Sequence, residues 1–530
     1  MAFGSRQLNR FNSMAATVLL SVALSACTAL PVPPKHGPAP ISRQEGQETF
    51  ATAYGTIADK YIEPQTIEDL AVNGLNGLSR IDTGFSVSID DEWLTLLLDG
   101  IEKESFSRPA SNDVEGWAAL TFDAYSVARN SSPEIAAADA SRIYQVILET
   151  ALAPLDRFSR YATAKKAKDN RAKRSGYGGI GLRYKVDGGT VIVTDVFSGA
   201  PADRSGIKTG DRITRIDGVP TENLSQDEVK EMLRGHRGLS VSLVINRTPG
   251  QPSKQLTLFR EKIVIPTVKV EMLDDIAHVS ISGFNRNTPK EMREVLENLA
   301  TGSKLSGLAL DLRGNPGGLL KQAIQVADLF LSDGRIVSQK GRHPGSTQVY
   351  DADPEIYLAG LPIVVLIDGR TASAAEVLAA TLQDRNRGVI VGTSSYGKGT
   401  VQTVIRLVNR GELTLTWSRL IPPSGYVMHE LGVLPSICTN VTESKEATTG
   451  ADQAISRVLA TQEKLDLRAQ SWRDLSYNAR TERDALRNDC PAVPQKSGPH
   501  LEIANRLLHQ PATYRSLISG STPSQTASPH

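Results

Sequence analysis

The sequence predicts an α/β core of mixed βαβ units, preceded by an inserted mostly-β unit and a helical N-terminal region. Three observations lead to this prediction. Residues 263–437 alternate apolar strands with amphipathic helical stretches, which is typical of βαβ units. Residues 176–262 contain strand patterns between glycine-rich turns. Residues 45–160 carry apolar side chains at three- and four-residue spacing, which favours helices.

The elements follow in order along the chain. Helical spacing is clearest in Glu68–Leu78 and Ile135–Leu152, and the basic run Lys165–Arg174 is interpreted as a solvated helix face or linker. Contact of that run with anionic lipid is the alternative. In the core, strands are predicted at Ala277–Ile281, Gly307–Leu312, Ile363–Asp368 and Val389–Gly392, and helices at Pro289–Ala300, Leu319–Leu331 and Ala374–Gln383. Residues 441–512 look polar and helical, and the last ten look disordered.

Length and composition set the broad class of protein. The chain has 530 residues, enough for two to four domains, with 40% hydrophobic and 22% charged residues. The net charge is +1, so composition gives no reason to expect a nucleic-acid partner.

The N-terminus has the pattern of a targeting segment. Arg6 and Arg10 precede the short apolar stretch Met14–Ala26, and Leu24-Ser-Ala-Cys27 matches the bacterial lipobox. This predicts cleavage before Cys27 and lipid on its sulfur; a plain secretory signal ending at Ala26 is the alternative. The proline-rich residues after Cys27 predict an extended tether.

Two further cysteines remain if Cys27 carries lipid. An oxidising periplasm favours a disulfide between Cys438 and Cys490. Two free buried thiols are the alternative.

A serine and a lysine are the principal candidate catalytic residues. Ser373 lies in Arg370-Thr-Ala-Ser-Ala-Ala-Glu376, and Lys398 follows 25 residues later in Tyr396-Gly-Lys-Gly-Thr-Val-Gln402. A lysine held neutral can remove the proton from a serine hydroxyl. Taken alone, Ser373 with Glu376 also fits a helix capping box, and Lys398 fits an exposed loop. Gln402 is expected on a strand, facing the same side as Lys398.

With the glycine-rich turn Asp311-Leu-Arg-Gly-Asn-Pro-Gly-Gly318, these motifs resemble the C-terminal processing peptidases, or tail-specific proteases. The resemblance covers roughly residues 150–437. It implies that Ser373 is the nucleophile, Lys398 the general base, and Gln402 the residue that aims the lysine amine. It also implies an oxyanion hole formed by the N–H groups of Ala374 and either Gly317 or Gly318, with no metal or cofactor.

A second resemblance concerns residues 176–262. Gly178-Gly-Ile-Gly-Leu182, the run from Gly199 to Ile213, and Ile216-Asp-Gly218 resemble the PDZ domain of this family. The resemblance implies that the loop Gly178, Gly179, Ile180 and Gly181 captures a C-terminal carboxylate while the peptide adds as a strand. Just upstream, Leu155-Asp-Arg-Phe-Ser-Arg-Tyr161 resembles the family's segment before the PDZ domain, although the family usually has Pro-His after the aspartate.

Other enzyme classes fit less well. Gly392–Lys398 is nearly a phosphate-binding loop, but Gly399 stands where a magnesium-binding Ser or Thr is needed. A Ser-His triad lacks its Gly-x-Ser-x-Gly elbow. The pattern Gly176-x-Gly178-x-x-Gly181 precedes strands, which is the wrong context for dinucleotide binding.

The predicted protein is therefore a periplasmic, lipid-anchored serine endopeptidase that acts on proteins with unstructured C-terminal tails. A catalytically silent PDZ scaffold is the alternative. An adaptor or self-association is possible, and the choice between inner and outer membrane stays open. The expected divisions are a signal peptide (1–26), tether (27–44), helical N-terminal region (45–175), PDZ domain (176–262), serine protease core (263–440) and helical C-terminal extension with a disordered tail (441–530).

Overall fold

The structure is a computed structural model that describes residues 38–248, 252–302, 304–440, 447–460, 475–476, 478–495 and 498–519. The predicted signal peptide, Cys27, most of the tether and the last ten residues lie outside the described residues. Within the described part of the chain, no helix is both long and apolar enough to cross a bilayer.

The helices are α1 Arg43–Lys60, α2 Ile67–Asn76, α3 Val114–Ser131, α4 Pro133–Ala137, α5 Ala140–Leu152, α6 Ala164–Ser175, α7 Pro201–Arg204, α8 Gln226–Leu233, α9 Thr288–Thr301, α10 Leu320–Asp328, α11 Ala374–Asp384, α12 Ala447–Ala460, α13 Arg480–Asn488, α14 His500–Leu508 and α15 Pro511–Ser519. Short 3₁₀ turns occur at Gly77–Arg80 and Pro344–Ser346.

The strands are β1 Phe85–Ile89, β2 Trp93–Leu98, β3 Ile101–Ser107, β4 Arg160–Ala162, β5 Tyr177–Gly179, β6 Leu182–Asp187, β7 Thr190–Val196, β8 Arg212–Ile216, β9 Val219–Pro220, β10 Ser240–Asn246, β11 Lys254–Phe259, β12 Glu261–Ile263, β13 Val268–Leu273, β14 Ile276–Ile281, β15 Gly307–Asp311, β16 Arg335–Lys340, β17 Gln348–Asp351, β18 Ile363–Ile367, β19 Val389–Gly392, β20 Thr400–Arg406, β21 Glu412–Ile421 and β22 Ile437–Cys438.

The N-terminal region is not purely helical. Strands β1, β2 and β3 form an antiparallel sheet that helical spacing did not predict. The helix predicted over Ile135–Leu152 is two helices, because Asp139 starts α5 as its N-cap and accepts a hydrogen bond from the Arg142 N–H. The region shares one hydrophobic core with β20 and β21, through side chains such as Leu413 and Leu415.

The β-rich unit is inserted into the chain at one point. Its main sheet has the order β11-β10-β8-β7-β6, so β6 is an edge strand beside helix α8. Strand β5 on entry pairs antiparallel with β12 on exit, which brings the two chain crossings together.

Helix α6 links the inserted unit to the core by ion pairs. Asp169 bonds Lys230 and Arg234 of the inserted unit, while Arg171 and Arg174 bond the buried Glu412 on β21. The basic run therefore forms a helical linker between two parts of the molecule.

The core sheet has the order β13-β14-β15-β18-β19-β22, parallel except for the β13–β14 pair. A parallel sheet needs cover on both faces. Helices α9, α10 and α11 pack on one face. The C-terminal helices α12, α14 and α15 pack on the other, so the extension completes the α/β/α layering.

A second sheet, of order β17-β16-β21-β20, adjoins the core sheet, and β4 pairs with β21. A disulfide joins Cys438 at the end of β22 to Cys490, two residues after α13. It therefore ties the C-terminal extension to the edge of the core sheet.

Candidate active site

Ser373 lies on a strained turn between β18 and α11. Its φ is 58°, a value that non-glycine residues rarely adopt, and it is the residue immediately before the first helical residue. The turn is held by Asp368, whose Oδ1 accepts the N–H groups of Gly314, Arg370 and Thr371 at 2.9, 3.0 and 3.1 Å. The nucleophile candidate is thus presented at a helix N-terminus, where backbone N–H groups are free to meet an anion.

The glycine-rich turn comes directly against this helix start. A Cβ atom on Gly317, whose φ is 93°, would lie 2.6 Å from the Ala372 oxygen and 2.9 Å from the Ala374 nitrogen. The Gly317 N–H donates to Asn315 Oδ1 at 2.8 Å, whereas the Gly318 and Ala374 N–H groups donate no hydrogen bond within the described residues. Of the two candidate glycines, Gly318 therefore has the N–H that is available to an oxyanion.

Glu376 joins the serine and lysine segments, a connection that the sequence alone did not reveal. Its buried carboxylate accepts the Ser373 N–H at 2.6 Å and the Lys398 N–H at 2.9 Å on the same oxygen. Its other oxygen accepts the Gly397 N–H at 2.6 Å and the Ser395 hydroxyl. Burial raises the pKa of Glu376, and these four hydrogen bonds act in the opposite direction. Sequence reasoning gave Glu376 only a helix-capping role.

Lys398 occupies an environment that favours the neutral amine. Burial, followed by the positive charge of Arg160, lowers the pKa of Lys398 to about 8, while Glu376 and Asp156 act in the raising direction. The Nζ atom lies 4.9 Å from the centre of the Phe158 ring. The ring contact by itself favours the protonated amine, whereas burial and Arg160 lower the lysine pKa in the direction that a general base requires.

Gln402 lies on a strand as expected, but the regular alternation that was to align it with Lys398 is absent. Strand β20 begins at Thr400, after Lys398, and a bulge between Val401 and Gln402 interrupts side-chain alternation. Gln402 Nε2 donates to the hydroxyls of Thr400 and Thr416 at 2.9 and 3.2 Å. Among the described residues, no hydrogen bond joins Gln402 to Lys398, so its predicted aiming role stays a prediction.

The segment before the inserted unit reaches the candidate site. Asp156 accepts the N–H groups of Phe158 and Ser159 at 2.7 and 3.0 Å, and the Thr416 hydroxyl at 3.1 Å. This holds the Phe158 ring against Lys398. Arg157 and Phe158 stand where the family usually has Pro-His, so this difference from the family lies next to Lys398.

The predicted carboxylate loop is only partly a loop. Gly178 and Gly179 belong to β5 and pair with Lys262 and Glu261 of β12. Ile180 and Gly181 do line a groove of about 360 Å³ between β6 and α8. Strand pairing at the insertion point therefore includes the first two of these residues, and the carboxylate-binding role of all four stays a prediction.

The groove beside β6 is apolar at its base and basic at its rim. Its lining includes Ile180, Phe197 and Leu233 together with Arg183, Lys230 and Arg234. An edge strand next to a helix is the geometry that accepts an extended peptide as an added strand.

Comparison with known proteins places these features in a family. Residues 275–439 match peptidase family S41, and residues 169–246 match the PDZ domain. The chain is 35% identical over 303 residues to the carboxy-terminal-processing protease of Bartonella bacilliformis, covering 56% of this chain and 70% of that protein. It is 33% identical over 285 residues to the carboxy-terminal processing protease CtpA of Bacillus subtilis, covering 53% and 60%.

Among solved structures, the chain is similar to a photosystem II D1 C-terminal processing protease. The identity is 25% and the TM-score 0.37, with 75% of this chain and 92% of the other covered. The chain belongs to the carboxy-terminal-processing proteases of peptidase family S41, with a PDZ domain. It is therefore a serine-type peptidase, as the order of its motifs predicted.

Proposed function

We propose that this chain cleaves peptide bonds with a Ser373–Lys398 dyad through an acyl-enzyme. The observation that carries the proposal is the shared carboxylate oxygen of Glu376, which bonds the backbone N–H of both residues. Because one buried carboxylate binds both segments, the nucleophile and the base are held in fixed positions relative to each other. The depressed pKa of Lys398 and the strained Ser373 backbone give further support.

In the proposed reaction, neutral Lys398 takes the proton from the Ser373 hydroxyl as its oxygen attacks the substrate carbonyl carbon. The resulting oxyanion accepts the N–H groups of Ala374 and Gly318, in the space beside the helix start. The lysine ammonium then gives its proton to the departing amine, and an ester of Ser373 remains. Lys398 next deprotonates a water molecule that hydrolyses this ester and restores the free hydroxyl.

The experiment that tests this function uses the purified protein and its Ser373→Ala variant. An unstructured protein substrate with a free C-terminus is expected to be cut by the first and only bound by the second. Equal cutting by both would show that Ser373 is not the nucleophile. Binding without cutting by the wild-type protein, alone and with candidate adaptors, would favour the PDZ scaffold.

We infer further that the groove between β6 and α8 selects substrates by their C-terminal tails. The exposed edge of β6 offers backbone groups to an added strand, and the apolar base formed by Ile180 and Leu233 offers space for a terminal side chain.

Tail recognition predicts a matched pair of effects. Gly181 has a φ of 80°, and a Cβ there would lie 2.2 Å from the Ala200 Cβ, so Gly181→Ala should distort the carboxylate end of the groove. We expect KM for free-tailed peptides to rise about tenfold to a hundredfold, the worth of a charged hydrogen bond. Amidating the peptide should cause a similar loss in the wild-type enzyme, and the two losses should not add.

Gly210→Ala is the control for that variant, because Gly210 also has a positive φ but a Cβ there would meet no atom within 4 Å. It should leave KM unchanged. Equal cleavage of amidated and free peptides by the wild type would contradict recognition through this groove.

We also propose that the protein is a bacterial periplasmic lipoprotein held to a membrane through Cys27. The lipobox and the Cys438–Cys490 disulfide, which suits an oxidising compartment, support this. The described residues begin at Pro38, whose carbonyl oxygen accepts a hydrogen bond from Arg129. An extended tether of the intervening residues would keep it within roughly 30 Å of the bilayer.

The anchor predicts a clear outcome for Cys27→Ser. Without the thiol, the lipid cannot be attached, so the protein should leave the membrane fraction or keep its signal peptide. Fractionation and mass measurement of the N-terminus check this. A variant with unchanged membrane partition and processing would refute the lipobox assignment.

A further inference from the structure

The C-terminal residues 480–495, here called the strap, contact both loops that carry the proposed dyad. The strap consists of α13 and the chain that follows it, including Cys490. It lies beyond the 275–439 segment that matches peptidase family S41. Its contacts with the dyad loops are made mainly by one arginine side chain and by backbone groups.

Arg487 is the main contact on the lysine side. Its Nη2 donates to the carbonyl oxygens of Ser395 and Tyr396 at 3.1 and 3.0 Å. Its Nη1 donates to the carbonyl oxygens of Glu430 and Leu431, both at 3.2 Å. One guanidinium therefore joins the residues just before Lys398 to a second loop, a fork geometry that lysine cannot reproduce.

The loop from Ser395 to Lys398 depends on such contacts because it is not part of a strand. From the inside, Glu376 accepts its Gly397 and Lys398 N–H groups. From the outside, Arg487 donates hydrogen bonds to the two preceding carbonyl groups, those of Ser395 and Tyr396. The packing is close, since a Cβ on Gly397 would lie 2.5 Å from Arg487 Nη1.

The far end of the strap reaches the serine side. The Gly369 N–H donates to the Val493 oxygen at 2.9 Å, and the Gln495 N–H donates to Asp368 Oδ2 at 3.1 Å. Asp368 is the residue whose other oxygen holds the turn before Ser373. Between the two ends, the disulfide fixes Cys490 to β22.

We propose that the strap positions the catalytic loops and that Arg487 is a positioning residue for Lys398. This inference rests on the proposed dyad. Through Arg487, the C-terminal extension would help to position Lys398, in addition to its role as cover for the core sheet. Without Arg487, this segment keeps its contacts with Glu376 and its backbone hydrogen bonds to Thr371, Val433 and Glu430. The Ser395 and Tyr396 carbonyl groups lose the donor that Arg487 supplies, so the amine should sample more positions and meet more water.

The test compares Arg487→Lys with Arg480→Lys. Arg480 lies on the same helix and, like Arg487, lines a cleft beside Tyr396 and Glu430. Its side chain makes no hydrogen bond within the described residues. We expect Arg487→Lys to lower kcat about tenfold to a hundredfold with KM changed less than about threefold, as for a displaced catalytic group. The pH at which kcat reaches half its maximum should also rise, because a better hydrated lysine holds its proton more tightly. Glu376, Asp156 and Arg160, the charged groups that act on Lys398, are unchanged in both variants.

Rates are normalised to the fraction of enzyme whose serine reacts with a covalent phosphonate probe. A purely structural role would reduce that fraction and the melting temperature without moving the pH midpoint. An Arg487→Lys enzyme with wild-type kcat and pH midpoint would overturn the inference, as would equal losses in Arg480→Lys.

The paired variant Cys438→Ser, Cys490→Ser provides a second arm if Arg487→Lys does not fold. Releasing the strap should lower kcat and move the pH midpoint in the same direction, and a normal kcat would again overturn the inference. Ser373→Ala is measured in the same assay. Residual cleavage in that variant would defeat the proposed dyad, whereas an inactive Ser373→Ala beside an unaffected Arg487→Lys would defeat the strap alone.

Discussion

Replacing Lys398 by arginine is expected to lower kcat by a factor of about 10⁴ or more, as loss of a catalytic dyad or triad member does. Arginine keeps a positive charge but stays protonated throughout the working pH range, so it cannot accept the Ser373 proton. The fold should survive, because the Lys398 backbone N–H, not its side chain, is bound by Glu376. Cleavage assays and thermal unfolding measure the two effects.

The role of Lys398 as base also predicts the pH profile of the wild-type enzyme. The pKa of Lys398 is lowered to about 8, mainly by burial. Below that pH the amine is protonated and inactive as a base, so kcat/KM should rise with pH and reach half its maximum near pH 8.

The control for Lys398→Arg is Lys290→Arg, on the exposed surface of α9, which should behave as wild type. Substantial activity in Lys398→Arg would refute the assignment of the lysine as base.

Replacing Glu376 by glutamine is expected to damage both activity and stability. The carboxylate accepts four donors on two oxygens, whereas an amide offers one acceptor oxygen and an NH₂ group that would face two of those donors. Each buried donor left without a partner costs about 1–3 kcal/mol. We expect kcat to fall roughly a hundredfold, because the segments that hold Ser373 and Lys398 lose their common anchor.

Melting temperature and normalised kcat are the measurements for this variant. Glu430→Gln is the control, because that carboxylate is exposed and lies on a neighbouring loop. It should change neither quantity. A Glu376→Gln enzyme with normal kcat would show that the carboxylate does not hold the dyad.

The strands and helices of the core could be predicted from sequence because each buried element has its own pattern of apolar residues. Strands such as Val389–Gly392 are continuous apolar runs, and the helices between them carry apolar side chains at helical spacing. In the N-terminal region the same approach missed β1–β3. A short antiparallel sheet of this kind is fixed by pairing between strands, and helical spacing nearby does not exclude it.

Residue types and their order along the chain were enough to predict the candidate chemistry: a serine at a helix start, a lysine 25 residues later, a glycine-rich turn, and two cysteines able to pair. These are properties of residue type and local order. How these residues are held is visible only in the folded chain, because Glu376, Phe158 and Arg487 act on Lys398 or its loop from distant parts of the sequence. No acidic residue flanks Lys398 along the chain, yet in the folded protein the charges of Asp156 and Glu376 act on its amine and raise its pKa. Spacing in sequence does not encode such contacts, because burial and hydrogen bonding arise only when separate segments pack together.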